Sequence, residues 1–155
     1  VTIQAQILDL VRAEQERRRL AVLLITHNLA VVSQVADRVA VMYAGEIVEE
    51  APASEIFANP QHPYTQGLLS SIPSAAGDRK HLYTIPGRVP DPRALPPACL
   101  FAPRCPYAIS RCWHDHPELE PASDGHLLRC WNPQPFTALL ALEPGEVDRR
   151  VGTSE

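Results

Sequence analysis

No stretch of this chain approaches the roughly 18 consecutive apolar residues that read as a membrane-spanning helix. Positive charge is in short supply. Fourteen Lys and Arg against 18 Asp and Glu leave a net charge of −4, so the basic footprint of a nucleic-acid binder is missing. No basic segment followed by an apolar one opens the chain, so nothing reads as a signal peptide. Val1 stands first in place of Met, which points to a truncated or processed polypeptide. Proline is absent from residues 1–51, whereas all 16 prolines fall between Pro52 and Pro144. Seven of them lie between Pro86 and Pro106, where they exclude long helices and central strands.

What is present divides accordingly into a regular α/β part and a loop-rich part tied by cysteine. At 155 residues and 45% hydrophobic composition, the chain can bury one core or two small ones. Residues 2–18 predict an amphipathic helix with Ile3, Ile7, Leu8, Leu10 and Val11 as its apolar stripe. Arg17, Arg18 and Arg19 crowd its C-terminal end, where positive charge suits the helix dipole. LAVLLIT (20–26) is a continuous apolar run, the pattern of a strand buried on both faces of a parallel sheet. Asn28 is a good N-cap, and the helix after it is expected to turn Leu29, Val32, Val35 and Ala36 inward. RVAVMY (38–43) and EIVEE (46–50) predict two strands around a tight Ala44-Gly45 turn. SEIFA and PYTQGLLSSI (63–72) predict short helices, the latter with Pro63 near its first position. Residues 73–97 read as an extended crossing segment, and FTALLAL in the tail as one more short helix.

His27 sits where the apolar run meets the next helix. Open α/β sheets bind ligands at that edge, so His27 is a ligand-facing candidate. A histidine that only helps to cap the helix is the plainer alternative. Cys99, Cys105, Cys112 and Cys130 are spaced C-x5-C-x6-C-x17-C. Without an export signal, structural disulfides are disfavoured, and clustered thiols in a proline-rich segment suggest a metal. The tight C-x2-4-C pairs of structural zinc are lacking, while irregular spacing also suits an iron–sulfur cluster. His114, His116 and His126 are possible substitute ligands, with surface or supporting roles favoured. Glu46, Glu49 and Glu50 read as a solvated strand face. Trp113 and Trp131 each follow a cysteine and are expected to shield that site. Arg88, Arg93 and Arg104 are scattered and form no patch.

The order of short words along the chain adds a resemblance. I-T-H-N-L, A-D-R-V-A-V-M-Y-A-G-E-I-V-E, F-A-N-P-Q-H-P-Y-T and L-L-S-S-I-P are followed by T-I-P-G-R-V-P, L-P-P-A-C, F-A-P-R-C-P-Y-A and G-H-L-L-R-C. From residue 1 to about 131 the chain resembles the C-terminal portion of an ATP-binding-cassette (ABC) ATPase of the dipeptide and oligopeptide importers. The resemblance implies an α/β fold: the C-terminal end of an ABC-type P-loop ATPase domain followed by a small, loop-rich, cysteine-ligated extension. It implies a remnant of the nucleotide-binding domain over 1–52, a helical and proline-rich connection over 53–97, a four-cysteine module over 98–131 and a tail over 132–155. His27 would be the switch-loop histidine that reaches the ATP γ-phosphate and helps hold the attacking water. Asn28 departs from the Asp usual there, but both residues cap helices well.

By the same resemblance Cys99, Cys105, Cys112 and Cys130 would hold a [4Fe–4S] cluster, with zinc as the alternative. ATP and Mg²⁺ would serve the full-length subunit. Its partners would be a second ATPase subunit, identical or homologous, the transmembrane permease subunits and, indirectly, a peptide-binding protein, with no nucleic acid. Its place would be peripheral, on the cytoplasmic face of the cell membrane. The chain contains no G-x-x-x-x-G-K-[ST] phosphate loop. The glutamine loop, the signature sequence and the acidic strand end that supports Mg²⁺ are also lacking. VTIQAQIL (1–8) resembles the words just downstream of that acidic strand. The expectation is therefore part of an ATP-hydrolysing subunit that energises peptide import, inactive alone. A stand-alone metal-binding interaction module is the alternative.

Overall fold

A computed structural model describes residues 3–72, 84–137 and 151. The chain divides into two compact units, Val1–Asp37 and Arg38–Glu155.

In the first unit, α1 (Ile3–Arg18) matches the predicted helix. It ends as Arg19 turns to a positive φ of 54° and the Leu20 amide bonds the Gln15 carbonyl at 3.1 Å, a left-handed C-terminal cap. Arg17 and Arg18 both reach Glu14 on the open surface. The apolar stripe is not covered, since Ile7, Leu10 and Val11 stay exposed. Arg12 bonds the Gln34 carbonyl. α2 (Leu29–Val35) begins where Asn28 predicts, its side chain accepting the Ala30 and Val31 amides at 3.1 and 3.3 Å. Val31 is the residue that α2 buries, and the predicted inward set of Leu29, Val32, Val35 and Ala36 is only half-buried.

The predicted buried strand over 20–26 does not form. These residues carry no strand pairing, and Leu23 and Ile25 are 88% and 89% exposed. The physical reason is that a strand is a pairing. Its amides and carbonyls need neighbours, and no described segment lies beside this run as a ladder partner.

The second unit is built on an antiparallel sheet. β1 (Arg38–Tyr43) and β2 (Glu46–Pro52) form the predicted hairpin. Ala44 and Gly45 both take positive φ, 48° and 90°, as a two-residue turn matched to strand twist requires. β1 alternates exposed and buried, with Val39, Val41 and Tyr43 inward. α3 (Ala53–Ala58) drops Ile56 into the core. α4 (Pro63–Ser70) starts at Pro63 as predicted, and ends two residues early. Two short 3₁₀ turns follow, Ala102–Arg104 and Ser110–Trp113. β3 (Glu120–Ser123) and β4 (His126–Leu128) then close the sheet in the order β1-β2-β4-β3.

The core joins the hairpin to the 98–102 segment. Tyr43 and Phe101 meet edge to face at 5.2 Å, and Tyr64 packs within 5.5 Å of Phe101 and 4.7 Å of Tyr43. Arg104 pins the crossing segment by bonding the Pro86 and Ile85 carbonyls at 2.7 and 3.2 Å. It is thus a tie within the fold. Gly87 takes a φ of +72° against the Arg104 side chain, where a Cβ would stand 3.3 Å from Cγ. Most of the predicted tail helix and residues 73–83 lie outside the described residues. Among the described residues, no helix is long and apolar enough to cross a membrane.

Candidate functional site

His27 is exposed in the bend between the apolar run and α2. Its neighbours fix the bend. Thr26 Oγ1 accepts the Asn28 amide at 3.0 Å, and Asn28 in turn caps α2. Helix capping falls to Asn28, so the imidazole is not needed for it. An open polar groove in the same unit, lined by Arg12, Gln15 and Arg19 among others, does not include His27.

The four cysteines are free thiols that gather within the second unit. Three come from one folded segment. The Cys99 amide bonds the Cys112 carbonyl at 3.1 Å, the Cys105 amide bonds Ala102, and the Cys112 amide bonds Ile109. Cys130 arrives separately, two residues after β4. Burial raises the thiol pKa of Cys99, pushes Cys130 up to about 12, and pushes Cys105 further still. The sulfurs also feel one another: Cys99, Cys112 and Cys130 each add to the rise at Cys105. Opposing this, main-chain amides bond the sulfurs, from Phe101 and Ala102 to Cys99, from Tyr107 to Cys105 and from Asn132 to Cys130.

Among the described residues, no three or more His, Cys, Asp or Glu side chains are arranged to hold one metal ion. Two of the histidines named as substitute ligands pair with carboxylates instead. His116 Nε2 meets Glu46 at 2.9 Å and His126 Nε2 meets Glu49 at 2.8 Å. Trp131 bonds the Asp115 carbonyl and takes the Arg111 guanidinium over its ring at 3.4 Å.

Glu49 is the residue that sequence reasoning misjudged. It is fully buried and not solvated, because β4 pairs along β2 with Leu128 opposite Glu49. Its carboxylate accepts the Gln61 amide at 2.7 Å, the His62 amide at 3.1 Å and His126 Nε2. His126 Nδ1 faces the Gln61 side-chain amide at 3.3 Å. The imidazole therefore donates to Glu49 through Nε2 and accepts from Gln61 at Nδ1. A buried carboxylate is tolerable only with such donors. His62 is buried beside it, and Nδ1 accepts the Tyr64 amide at 3.0 Å. Burial depresses its pKa to about 3, against a weaker opposing bond to the Arg129 main chain.

Residues 48–112 match the family model described as oligopeptide/dipeptide transporter, C-terminal region. The oligopeptide transport ATP-binding protein AppD of Bacillus subtilis is 50% identical over 131 residues, covering 84% of this chain and 40% of AppD. The dipeptide transport ATP-binding protein DppD of Escherichia coli is 46% identical over 133 residues, covering 86% of this chain and 41% of DppD. A putative peptide import ATP-binding protein of Brucella ovis is 49% identical over 137 residues, covering 84% of this chain and 40% of that protein. The chain thus spans about two fifths of the length of the curated relatives it matches.

Proposed function

We propose, since this chain carries the C-terminal region of the oligopeptide/dipeptide transporter ATP-binding family, that it is part of the ATP-hydrolysing subunit that energises peptide import. The observation that carries the reading is the close match to AppD and DppD across more than four fifths of the chain. Within it, His27 is the catalytic residue, the contact to the ATP γ-phosphate. Its exposure in a bend stiffened by Thr26 and Asn28 supports that role. Phosphoryl transfer is mostly positioning and stabilisation of phosphate charge. An imidazole held at a fixed helix start can donate to a phosphate oxygen and orient the attacking water. ATP and Mg²⁺ would be gripped by a phosphate loop, a signature sequence and an acidic strand end that this sequence does not contain. This chain by itself would not hydrolyse ATP. The working subunit would be peripheral on the cytoplasmic face of the cell membrane. There it would meet a second ATPase subunit and transmembrane permease subunits, and a peptide-binding protein would deliver substrate.

The four-cysteine segment is read as a site for a [4Fe–4S] cluster, with zinc as the competing occupant. The donor chemistry fits: four free thiols in mutual electrostatic range, with amide N–H groups on three of the sulfurs. Hydrogen bonds to sulfur favour the thiolate that a metal needs. When bound, the group would cross-link a segment too rich in proline to build a core of its own.

The test uses the full-length subunit in its assembled transporter. His27→Ala is expected to lower ATP hydrolysis by about 100-fold or more, the scale of losing a positioned proton-handling group. ATP binding would persist. Hydrolysis within a factor of two of wild type would overturn the role given to His27.

A further inference from the structure

We propose that Asp124 is a site of spontaneous isoaspartate formation, and that this modification loosens the β3–β4 hairpin from its turn outward. Asp124-Gly125 is the one Asp-Gly pair in the sequence, and no Asn-Gly occurs. Ser123 pairs with His126, so Asp124 and Gly125 are the whole loop between β3 and β4. Both are exposed. Gly125 takes a φ of +67°, a conformation that glycine enters without steric cost.

The loop leaves the reacting nitrogen open. A Cβ built on Gly125 would meet only the Arg38 guanidinium, at 3.7 Å. Among the described residues, no acceptor bonds the Gly125 amide. The other described aspartates are held back. Asp9 lies inside α1, where the helical ladder takes the next amide. Asp37 leads into β1, whose pairing begins at Arg38. Asp91 precedes Pro92, which has no N–H. Asp115 pairs with Arg111 at 3.2 Å and precedes a residue with a side chain, His116.

The reaction needs water alone. The Gly125 nitrogen attacks the carbon of the protonated Asp124 carboxyl. An N–C bond forms, a C–O bond breaks, and the hydroxyl leaves with the amide proton as water. The product is a cyclic succinimide. Water then adds to one of its two carbonyls. Breaking the new N–C bond restores Asp124. Breaking the original peptide bond leaves the main chain running through the side-chain carbonyl, as isoaspartate of unchanged mass. The main chain is then longer by one carbon inside a two-residue loop, and loop length fixes hairpin register. β3 feels this most, because it is exposed throughout and pairs only with β4. The Arg38 bond to the Gly125 carbonyl, 3.1 Å, shifts with it. β4 keeps its ladder to β2 and the His126–Glu49 bond.

The full chain and Asp124→Glu are incubated for weeks at neutral pH and body temperature. Isoaspartate is read by enzymatic methyl transfer from S-adenosylmethionine and located by chromatographic separation of equal-mass peptides. Isoaspartate at 124 is expected to exceed that at 115 by about tenfold or more, the rate ratio of a modestly lower barrier. Asp124→Glu, which cannot close the five-membered ring, should lose most of the methyl signal. Hydrogen exchange is then followed in the same sample, where aspartyl and isoaspartyl peptides separate. Amides of the 120–128 hairpin should exchange about tenfold faster in the isoaspartyl form, as local opening becomes cheaper. Amides of β1 should stay within about twofold, the shift expected of independent positions. Isoaspartate at 124 no greater than at 115, or an undiminished signal in Asp124→Glu, overturns the site. Isoaspartate at 124 with unchanged hairpin exchange, or with equal acceleration in β1, overturns the loosening.

Discussion

Acid should weaken the second unit through a single identifiable ring. His62 is buried with its pKa depressed to about 3, whereas in the unfolded chain it returns to 6.5. Between those values the unfolded state holds one proton more than the native state. Stability therefore rises with pH across that window and is lost as pH falls, approaching about 1.4 kcal/mol per pH unit. From pH 7 to pH 5 the integrated loss is about 2 kcal/mol, because the unfolded ring is only partly protonated at the start. The perturbation is His62→Asn. Asn keeps an acceptor for the Tyr64 amide, the capping role of Nδ1, but cannot titrate. It loses the bond to the Arg129 main chain, a cost that does not vary with pH. Urea unfolding followed by the fluorescence of Trp113 and Trp131 gives the free energy of each chain at pH 7, 6 and 5. The other histidines are common to both chains and cancel in the difference. Wild type should lose about 2 kcal/mol more than the variant over this range. Parallel pH profiles would refute a buried, neutral His62.

Two further outcomes are expected from local structure. Phe101→Ala should destabilise the second unit by about 3–5 kcal/mol, since Phe101 is 2% exposed and contacts the Tyr43, Tyr64 and His62 rings. A urea midpoint shift worth under about 1 kcal/mol would count against that core, given the usual cost of such a cavity. Asn28→Ala should cost α2 about 1 kcal/mol and Asn28→Asp almost nothing, because only the first removes the side-chain acceptor for the Ala30 and Val31 amides. Hydrogen exchange at those two amides reads both changes directly.

The features legible in the sequence are those decided within a few residues. Asn28 caps α2, Pro63 opens α4 and Ala44-Gly45 turns the hairpin, each through bonds or dihedrals local to the motif. The bend at His27 was legible for the same reason, as a junction between two patterned runs. The strand over 20–26 was not, because apolar composition states only that a segment can be buried. Whether it pairs depends on residues elsewhere, and none of the described segments provides the ladder.

Glu49 shows the same limit from the other side. In E-I-V-E-E an alternating strand with one wet face puts acids in water, and Glu46 and Glu50 do remain partly exposed. Glu49 differs because β4, nearly eighty residues onward in a segment whose prolines disguise it, lies along that part of β2. The donors that make its burial tolerable come from three separated places: Gln61, His62 and His126. None of them signals the others by spacing. The cysteines were countable at once, yet the position of Cys130 depends on this same distant pairing. A composition-level reading can thus name the thiols without placing the fourth.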